Sequence, residues 1–287
     1  HVGHFAFAGR HFFNNGAGIF IVNVDHDGFV RLGPLAGFVG AIEHARAADA
    51  EFEAFAAHRF DQHAQLQFAA PGHFEAAYRR LAADGATSVV AINLSAALSA
   101  TMQSAELAAR GVADTIPVTV VDSQQCTLGL GAIVMDCARL AAGGASHQAV
   151  VDRARDLATR TKVWGALDTL ENLKKGGRIG GAKAMLASAL AIKPIIEVRD
   201  GKVEQGGKQR TRGKALAFLV ETLVNAGPVE NLMVINADCS DVDAFVEQLR
   251  PHYAGEIVVG DIGPVVGSHA GRGTIGIAYC VASSPPT

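Results

Sequence analysis

The residues best equipped for chemistry lie in ENLKKGGRIGG, Glu171 to Gly181, where Arg178 stands among glycines at 176, 177, 180 and 181. Glycine removes Cβ and permits positive φ, so backbone N–H groups and one guanidinium can converge there on a small anion. Lys174 and Lys175 add charge. The same letters also spell a helix C-cap followed by a solvated basic patch, because glycine after lysines ends helices. Spacing alone leaves both readings open. A second group, NLSAALSATMQSA, supplies Ser95, Ser99, Thr101 and Ser104 where a strand passes into a helix. Hydroxyls and orphan amides at such a junction can hold an anion with the helix dipole assisting, or Ser99 can serve as an ordinary N-cap. A third, DIGPVVGSHAGRG from Asp261, holds Ser268 and His269 between glycines ahead of an apolar run that reads as a buried strand. An imidazole in that place can donate to a carboxylate or, protonated, pair with it, although lone histidines are more often structural. Asp122-Ser123, closing VTVVDS, can orient a partner or, more often for such residues, cap the next helix.

Other chemistries fail on context. Gly271, Gly273 and Gly276 spell GxGxxG, but they precede a strand and leave no room for the acidic residue about 20 positions on that a dinucleotide site needs. There is no P-loop and no GxSxG elbow. Seven of the eleven histidines and eleven of the fourteen phenylalanines fall at or before residue 68, yet His1, His4, His11, His26, His44, His58 and His63 show no metal-ligand spacing. No cofactor or metal is expected. Cys126, Cys137, Cys239 and Cys280 are widely spaced, which fits reduced thiols. A net charge of −3 and a pI near 6.4 supply no basic stripe for nucleic acid. No apolar span is long enough to cross a membrane and no signal pattern opens the sequence, so a cytoplasmic location is expected.

The elements that must position these residues alternate from Pro71 onward. Helix patterns over HFEAAYRRLAADG, from near Ser99, through GLGAIVMDCARLAAGG and over 147–160 separate strands at SVVAINL and VTVVDS. That order predicts a parallel sheet covered on both faces, with ligands outside the carboxyl ends of its strands, where INLS and VVDS place hydroxyls. The second half carries strands at IKPIIEV, KVEQGGKQRT, LMVINA and EIVVGDI, a helix over 213–225, and an Asp200-Gly201 turn that reads as a hairpin. The expected fold class is therefore α/β in two domains: an N-terminal parallel three-layer α/β domain over 1–160 and a C-terminal α+β domain with a mixed or antiparallel sheet over 161–287. With 49% hydrophobic residues and a mean hydropathy of +0.21, both can bury a core. Residues 1–70 are atypical in composition, with a strand at 18–24 and a helix over 35–57 expected.

Taken together, INLSAALSATMQSA, VTVVDSQQCTLGLG, ENLKKGGRIG and IGPVVGSHAGRG resemble the DegV family of bacterial fatty-acid-binding proteins in order and spacing, from about residue 71 to 279. The family's Thr-Asp-Ser and Thr-Ser-Gln-Pro motifs are absent from the first seventy residues, and its Ser-Ser-x-Leu-Ser-Gly-Thr pattern stands here as Ser95-Ala96-Ala97-Leu98-Ser99-Ala100-Thr101. The resemblance implies one long-chain fatty acid buried between the domains, its carboxylate held by Ser95, Ser99, Thr101, Arg178, Ser268 and His269. It further implies that the chain is not itself an enzyme. The bound acid would be presented to a separate ATP-dependent fatty acid kinase subunit, which docks at Lys208, Arg210 and Arg212, with at most a transient membrane-surface contact. The rival from another class is a hydrolase or acyl transferase using Ser95 or Ser99 with His269, which requires a serine within hydrogen-bond reach of that ring.

Overall fold

The computed structural model describes residues 70–188 and 192–283, together with the backbone of short strands at 11–14, 19–24 and 32–33. The helix expected over 35–57 and all but one of the early histidines lie outside the described residues.

The described strands form two sheets. The first has the order β3-β2-β4-β5, with β2 at Ile19–Val24, β3 at Leu32–Gly33, β4 at Ser88–Asn93 and β5 at Val118–Asp122. The expected parallel pairing holds for β4 and β5, while β2 joins β4 antiparallel, so this sheet is mixed. β4 reads SVVAIN without polar alternation because both faces are covered. Val89 and Ala91 pack on α1 (Pro71–Ala83) and α2 (Thr101–Gly111) through Phe74, Tyr78 and Ala105. Val90 and Ile92 pack on α3 (Thr127–Ala142) and α4 (His147–Arg160) through Leu130, Ile133 and Val150. This is the three-layer arrangement that the alternating pattern predicts.

The second sheet runs β1-β10-β9-β11-β6-β7-β8. Its members are β1 at His11–Asn14, β6 at Thr161–Ala166, β7 at Lys193–Arg199, β8 at Lys202–Gln209, β9 at Val229–Asn236, β10 at Val258–Ile262 and β11 at Ile275–Val281. β1, β10 and β9 are parallel, and the remaining pairs are antiparallel. One face carries α6 (Arg212–Asn225) and α7 (Val242–Leu249) over Leu219, Leu232, Phe245 and Ile277. The other face meets α3, whose Leu128 and Ala132 pack on Val163, Met233 and Ile235. Because both sheets cover it, α3 buries ten of its sixteen residues. This explains why GLGAIVMDCARLAAGG lacks a clean polar face.

Two local features differ from the sequence expectation. Ser268 and His269 sit on a short helix, α8 (Pro264–Ala270), and not at the edge of the apolar strand that follows. A proline in its first turn is compatible with helix initiation, and Gly271 at φ 86 ends it. Gly180–Ser188 forms a 3-10 helix for which the glycines gave no periodic signal. The Asp200-Gly201 turn is as expected: φ values of 50 and 73 are those of the two-residue hairpin turn whose twist matches the strands.

Arg212 clamps three segments of this half. Its Nε and Nη2 donate to the two carboxylate oxygens of Asp241 at 2.5 and 2.7 Å, and Nη1 donates to the Gly273 carbonyl at 2.6 Å. The guanidinium hydrogen bonds hold the Asp241 carboxyl below the usual carboxylate range. A depressed folded pKa contributes stability above the unfolded value of about 3.9, and that contribution is lost as pH falls through the folded value. Asp241→Asn should therefore lower the denaturation midpoint near neutrality, and the gap to wild type should close in acid. A gap that persists unchanged into acid would show that charge is not what the contact uses. For the core, Ile133→Ala should cost about 2–5 kcal/mol in urea unfolding, whereas Leu107→Ala, on the exposed side of α2, should stay within about 0.5 kcal/mol.

Candidate functional site

The arginine turn begins as a helix end. α5 (Glu171–Lys175) closes with Gly177 N–H donating to the Lys174 carbonyl at 3.1 Å and Arg178 N–H to the Leu173 carbonyl at 3.0 Å. With Gly177 at φ 70, this is the Schellman cap, in which left-handed glycine lets two amides turn back on the helix. Gly176 N–H is likewise bonded to the Asn172 carbonyl. The amides of Gly176, Gly177 and Arg178 are thus engaged by the helix and do not converge on an anion, and the capping reading is correct for the backbone. What the turn delivers is the Arg178 side chain.

The guanidinium is half-buried. Nε donates to the Leu98 carbonyl at 3.2 Å and Nη1 to the Gly176 carbonyl at 2.8 Å. No carboxylate among the described residues forms an ion pair with it, in contrast to Arg153, Arg160 and Arg212. Beside it opens a cleft of about 460 Å³ lined by Ala96 to Ala100, Gln103, Gly177, Arg178, Gly180, Lys202 and Val203. That size suits a small-molecule site. Three segments form it: the loop after β4, the arginine turn, and the start of β8. Close packing of the turn requires its glycines, since a Cβ on Gly180 would lie 2.1 Å from the Val203 carbonyl oxygen and one on Gly176 would lie 2.0 Å from His269 Nδ1.

The hydroxyls divide by role. Ser99 lines the cleft, and its Oγ lies 2.8 Å from Thr101 Oγ1, which is buried behind it. Ser95 is fully buried and does not line the cleft: its Oγ donates to the Gly201 carbonyl at 2.6 Å and accepts from Ala97 N–H at 3.2 Å. A Cβ on Gly201 would approach Ser95 Oγ to 2.5 Å, so the glycine of the β7–β8 turn is also required by this contact. Ser268 is exposed, and its hydroxyl donates to the Val265 carbonyl of its own helix.

His269 stands behind Gly176, outside the lining of the cleft. Its Nδ1 is buried without a hydrogen-bond partner. Desolvation first, and the Arg178 charge second, push its pKa below the ordinary histidine value, so the ring is neutral at neutral pH. The pairing needed by a serine hydrolase is not formed: neither Ser95 nor Ser99 bonds to His269. Among the described residues, a Ser–His contact joins His147 to Ser88 at 3.0 Å, with Thr119 at 2.8 Å from the same ring, at the opposite end of β4. Of the basic residues in KQRTRGK, Lys208, Arg210 and Lys214 are exposed, while Arg212 is engaged in the Asp241 clamp. Among the described residues no His/Cys/Asp/Glu group has the makings of a metal site, and no helix is long and apolar enough to cross a membrane.

Sequence reasoning missed Gln103, Lys202 and Val203, and it missed that two backbone carbonyls occupy Arg178. The Asp200-Gly201 turn was visible as a hairpin, but nothing in its letters revealed that it meets the loop after β4.

This architecture and its motifs recur in known proteins. The family model described as "Uncharacterised protein, DegV family" matches residues 46–282. A DegV domain-containing protein of Streptomyces coelicolor is 35% identical over 212 residues, covering 72% of this chain and 75% of the relative. One from Mycobacterium tuberculosis is 35% identical over 232 residues, covering 78% and 82%. Among solved structures, a DegV family protein from Thermus thermophilus described for its fatty acid binding superposes with a TM-score of 0.68 at 33% identity, covering 74% of this chain and 77% of that one. DegV from Bacillus subtilis, described as a fatty acid binding protein, gives 0.65 at 29% identity, covering 74% and 77%. On the extent of the family match and of these identities, the chain belongs to the DegV family.

Proposed function

We propose that this protein binds one long-chain fatty acid, with the carboxylate at Arg178, and presents it to a separate fatty acid kinase subunit that converts it to an acyl phosphate. The observation that carries the first part is the half-buried Arg178 guanidinium, bonded to two carbonyls and to no carboxylate among the described residues, at the wall of a cleft lined by Ala96, Ala97, Leu98, Ala100 and Val203 together with Ser99, Gln103, Lys202 and two glycines. Carbonyl acceptors hold the guanidinium in place while its remaining N–H groups are free to meet an anion, and a charge-assisted pair is stronger than the neutral bonds. Ser99 is the hydroxyl suited to the second carboxylate oxygen, and Lys202 adds charge at the mouth. Fatty acid binding by the Thermus and Bacillus relatives supports this reading. Each buried methylene contributes about 0.8 kcal/mol, so the tail supplies affinity and the polar cluster supplies orientation.

In this reading Ser95 positions the loop and does not touch the ligand, Thr101 supports Ser99, and His269 acts from behind Gly176 as a neutral donor or packing partner. Presentation to a kinase is supported by the resemblance of the motifs. A carboxylate is a poor acyl donor, and phosphorylation by a partner makes it reactive while the binder shields it. Lys208 and Arg210 are the exposed cations suited to docking, with Arg212 retained as a structural clamp.

Mass spectrometry of the denatured, as-purified protein should reveal a co-purifying fatty acid, and delipidated protein should melt at a higher temperature when reloaded. Absence of both responses to saturated and monounsaturated long-chain acids would overturn the proposal. Arg178→Ala should weaken fatty acid binding about 10- to 100-fold, the loss of a charge-assisted contact worth about 1.5–3 kcal/mol, with little change in unfolding midpoint. Ser99→Ala should cost up to about tenfold, and Ser95→Ala should lower stability more than affinity. The opposite ranking for the two serines would exchange their roles. Arg210→Glu should slow acyl-phosphate formation at subsaturating kinase while leaving lipid affinity unchanged, and an unchanged rate would remove this surface from docking.

A further inference from the structure

The hydroxyls of Ser99 and Thr101 lie 2.8 Å apart, and on distance alone either oxygen could be the donor. Their surroundings decide the direction. Thr101 opens α2, is 5% exposed and does not line the cleft, and among the described residues its hydroxyl bonds to Ser99 and to nothing else. Were Ser99 the donor, the Thr101 proton would stay buried without an acceptor and carry the full desolvation penalty of that group. With Thr101 as donor, the proton left over is that of Ser99, which faces the cleft. The buried hydroxyl therefore gives its proton to the open one.

Ser99 Oγ also accepts from Thr101 N–H at 3.3 Å. That amide is one of the orphan donors of the first helical turn, and the Ala100 N-cap gives it no side-chain bond. A serine oxygen has two lone pairs and one proton. With the amide and the hydroxyl of Thr101 on its lone pairs, Ser99 has no acceptor capacity left and one O–H to give. Arg178 and Lys202 are donors only, and the Leu98 carbonyl is already taken by Arg178 Nε at 3.2 Å. Gln103 can offer its carbonyl or its amide group, so it imposes no preference.

Resting on the proposed carboxylate site, we infer that Thr101 is a positioning residue that makes Ser99 an obligate donor and so sets the headgroup class. The cleft takes a group that accepts at both oxygens, the ionised carboxylate, in preference to one of the same shape that must donate at one of them. A primary amide is the sharp comparison. It keeps the planar fork and replaces one acceptor by an NH2 donor, which would meet the Ser99 or Arg178 donor with both left unpaired. Sites built on buried hydrogen bonds reject such mismatches strongly. The charges of Arg178 and Lys202 favour the carboxylate as well, and the share contributed by Ser99 is the one Thr101 controls.

The test compares the affinities of delipidated full-chain protein for hexadecanoic acid and hexadecanamide. Their ratio is the readout, because a general loss of folding stability lowers both affinities alike. Thr101→Val removes the hydroxyl at nearly constant shape and frees one lone pair of Ser99. The acid-to-amide ratio should then fall about three- to tenfold, the worth of one hydrogen bond, while Thr101→Ser keeps the wild-type ratio. Ser99→Ala should also lower the ratio, and adding Thr101→Val to it should change nothing further, since the threonine acts through the serine. A wild-type ratio in Thr101→Val, or a Thr101→Ser ratio that falls with it, overturns the inference and leaves the carboxylate site standing if Arg178→Ala and Ser99→Ala weaken acid binding. Acid binding unchanged in both of those variants overturns the carboxylate site and this inference with it.

Discussion

Helix α3 is the constraint on which the rest of the structure depends, because it is buried by two sheets at once. Leu130, Ile133 and Val134 pack toward the first sheet, and Leu128 and Ala132 toward the second. A helix in that position has no solvated stripe, and each side must match a different partner. Gly129 shows how tight the fit is, since a Cβ there would lie 2.3 Å from Val163 Cγ2 of β6. At close-packed density a misfit on one side is transmitted to the other. The loop after β4 and the turn between β7 and β8 come from different sheets, yet they meet at hydrogen-bonding distance, and the shared helix holds them in register.

The arginine turn shows how one glycine sequence can serve two purposes. Positive φ at Gly177 closes the cap of α5, and the same reversal throws Arg178 back across the Gly176 carbonyl toward Leu98. The backbone is satisfied internally, and the side chain carries the unneutralised charge. A proposed carboxylate ligand would find a guanidinium whose orientation is already fixed, so less of its rotamer freedom remains to be lost on binding. The adjacent charge also disfavours protonation of His269, so two cations do not compete for one site.

The fold was largely legible because its strong signals were local. Buried runs such as SVVAIN, amphipathic helices such as 147–160, and the Asp200-Gly201 turn each declare their conformation within a few residues. Of the candidate site, Arg178 and Ser99 at the cleft were legible by residue type, and the contacts of the others were not. Ser95 and Ser99 carry the same letters and sit on the same loop, but one is bonded to a carbonyl more than 100 residues away and the other faces the cleft. Arg212 looked like the equal of Lys208 and Arg210, because nothing in KQRTRGK reports that Asp241 lies opposite. His269 between glycines read as standing at the edge of an apolar strand, whereas the proline at the start of its segment was the better guide to a helix. Such assignments depend on long-range partners, which periodicity and spacing do not encode.

Two hydrogen bonds cross between the loop after β4 and the second half of the chain: Ser95 Oγ to the Gly201 carbonyl, and Arg178 Nε to the Leu98 carbonyl. They flank the alanines at 96 and 97, where the family pattern carries a further serine. Replacing a hydroxyl by a methyl group on that lining leaves a more apolar wall and fewer competing acceptors for Arg178. In the proposed function, recognition of the oxyanion falls to Arg178 and Ser99 with Lys202 at the mouth, while the buried Ser95 keeps the loop close to the second half. In that same function, a wall carrying three alanines with Arg178 fixed beside it and Lys202 at the mouth would discriminate by charge and by fit of the chain.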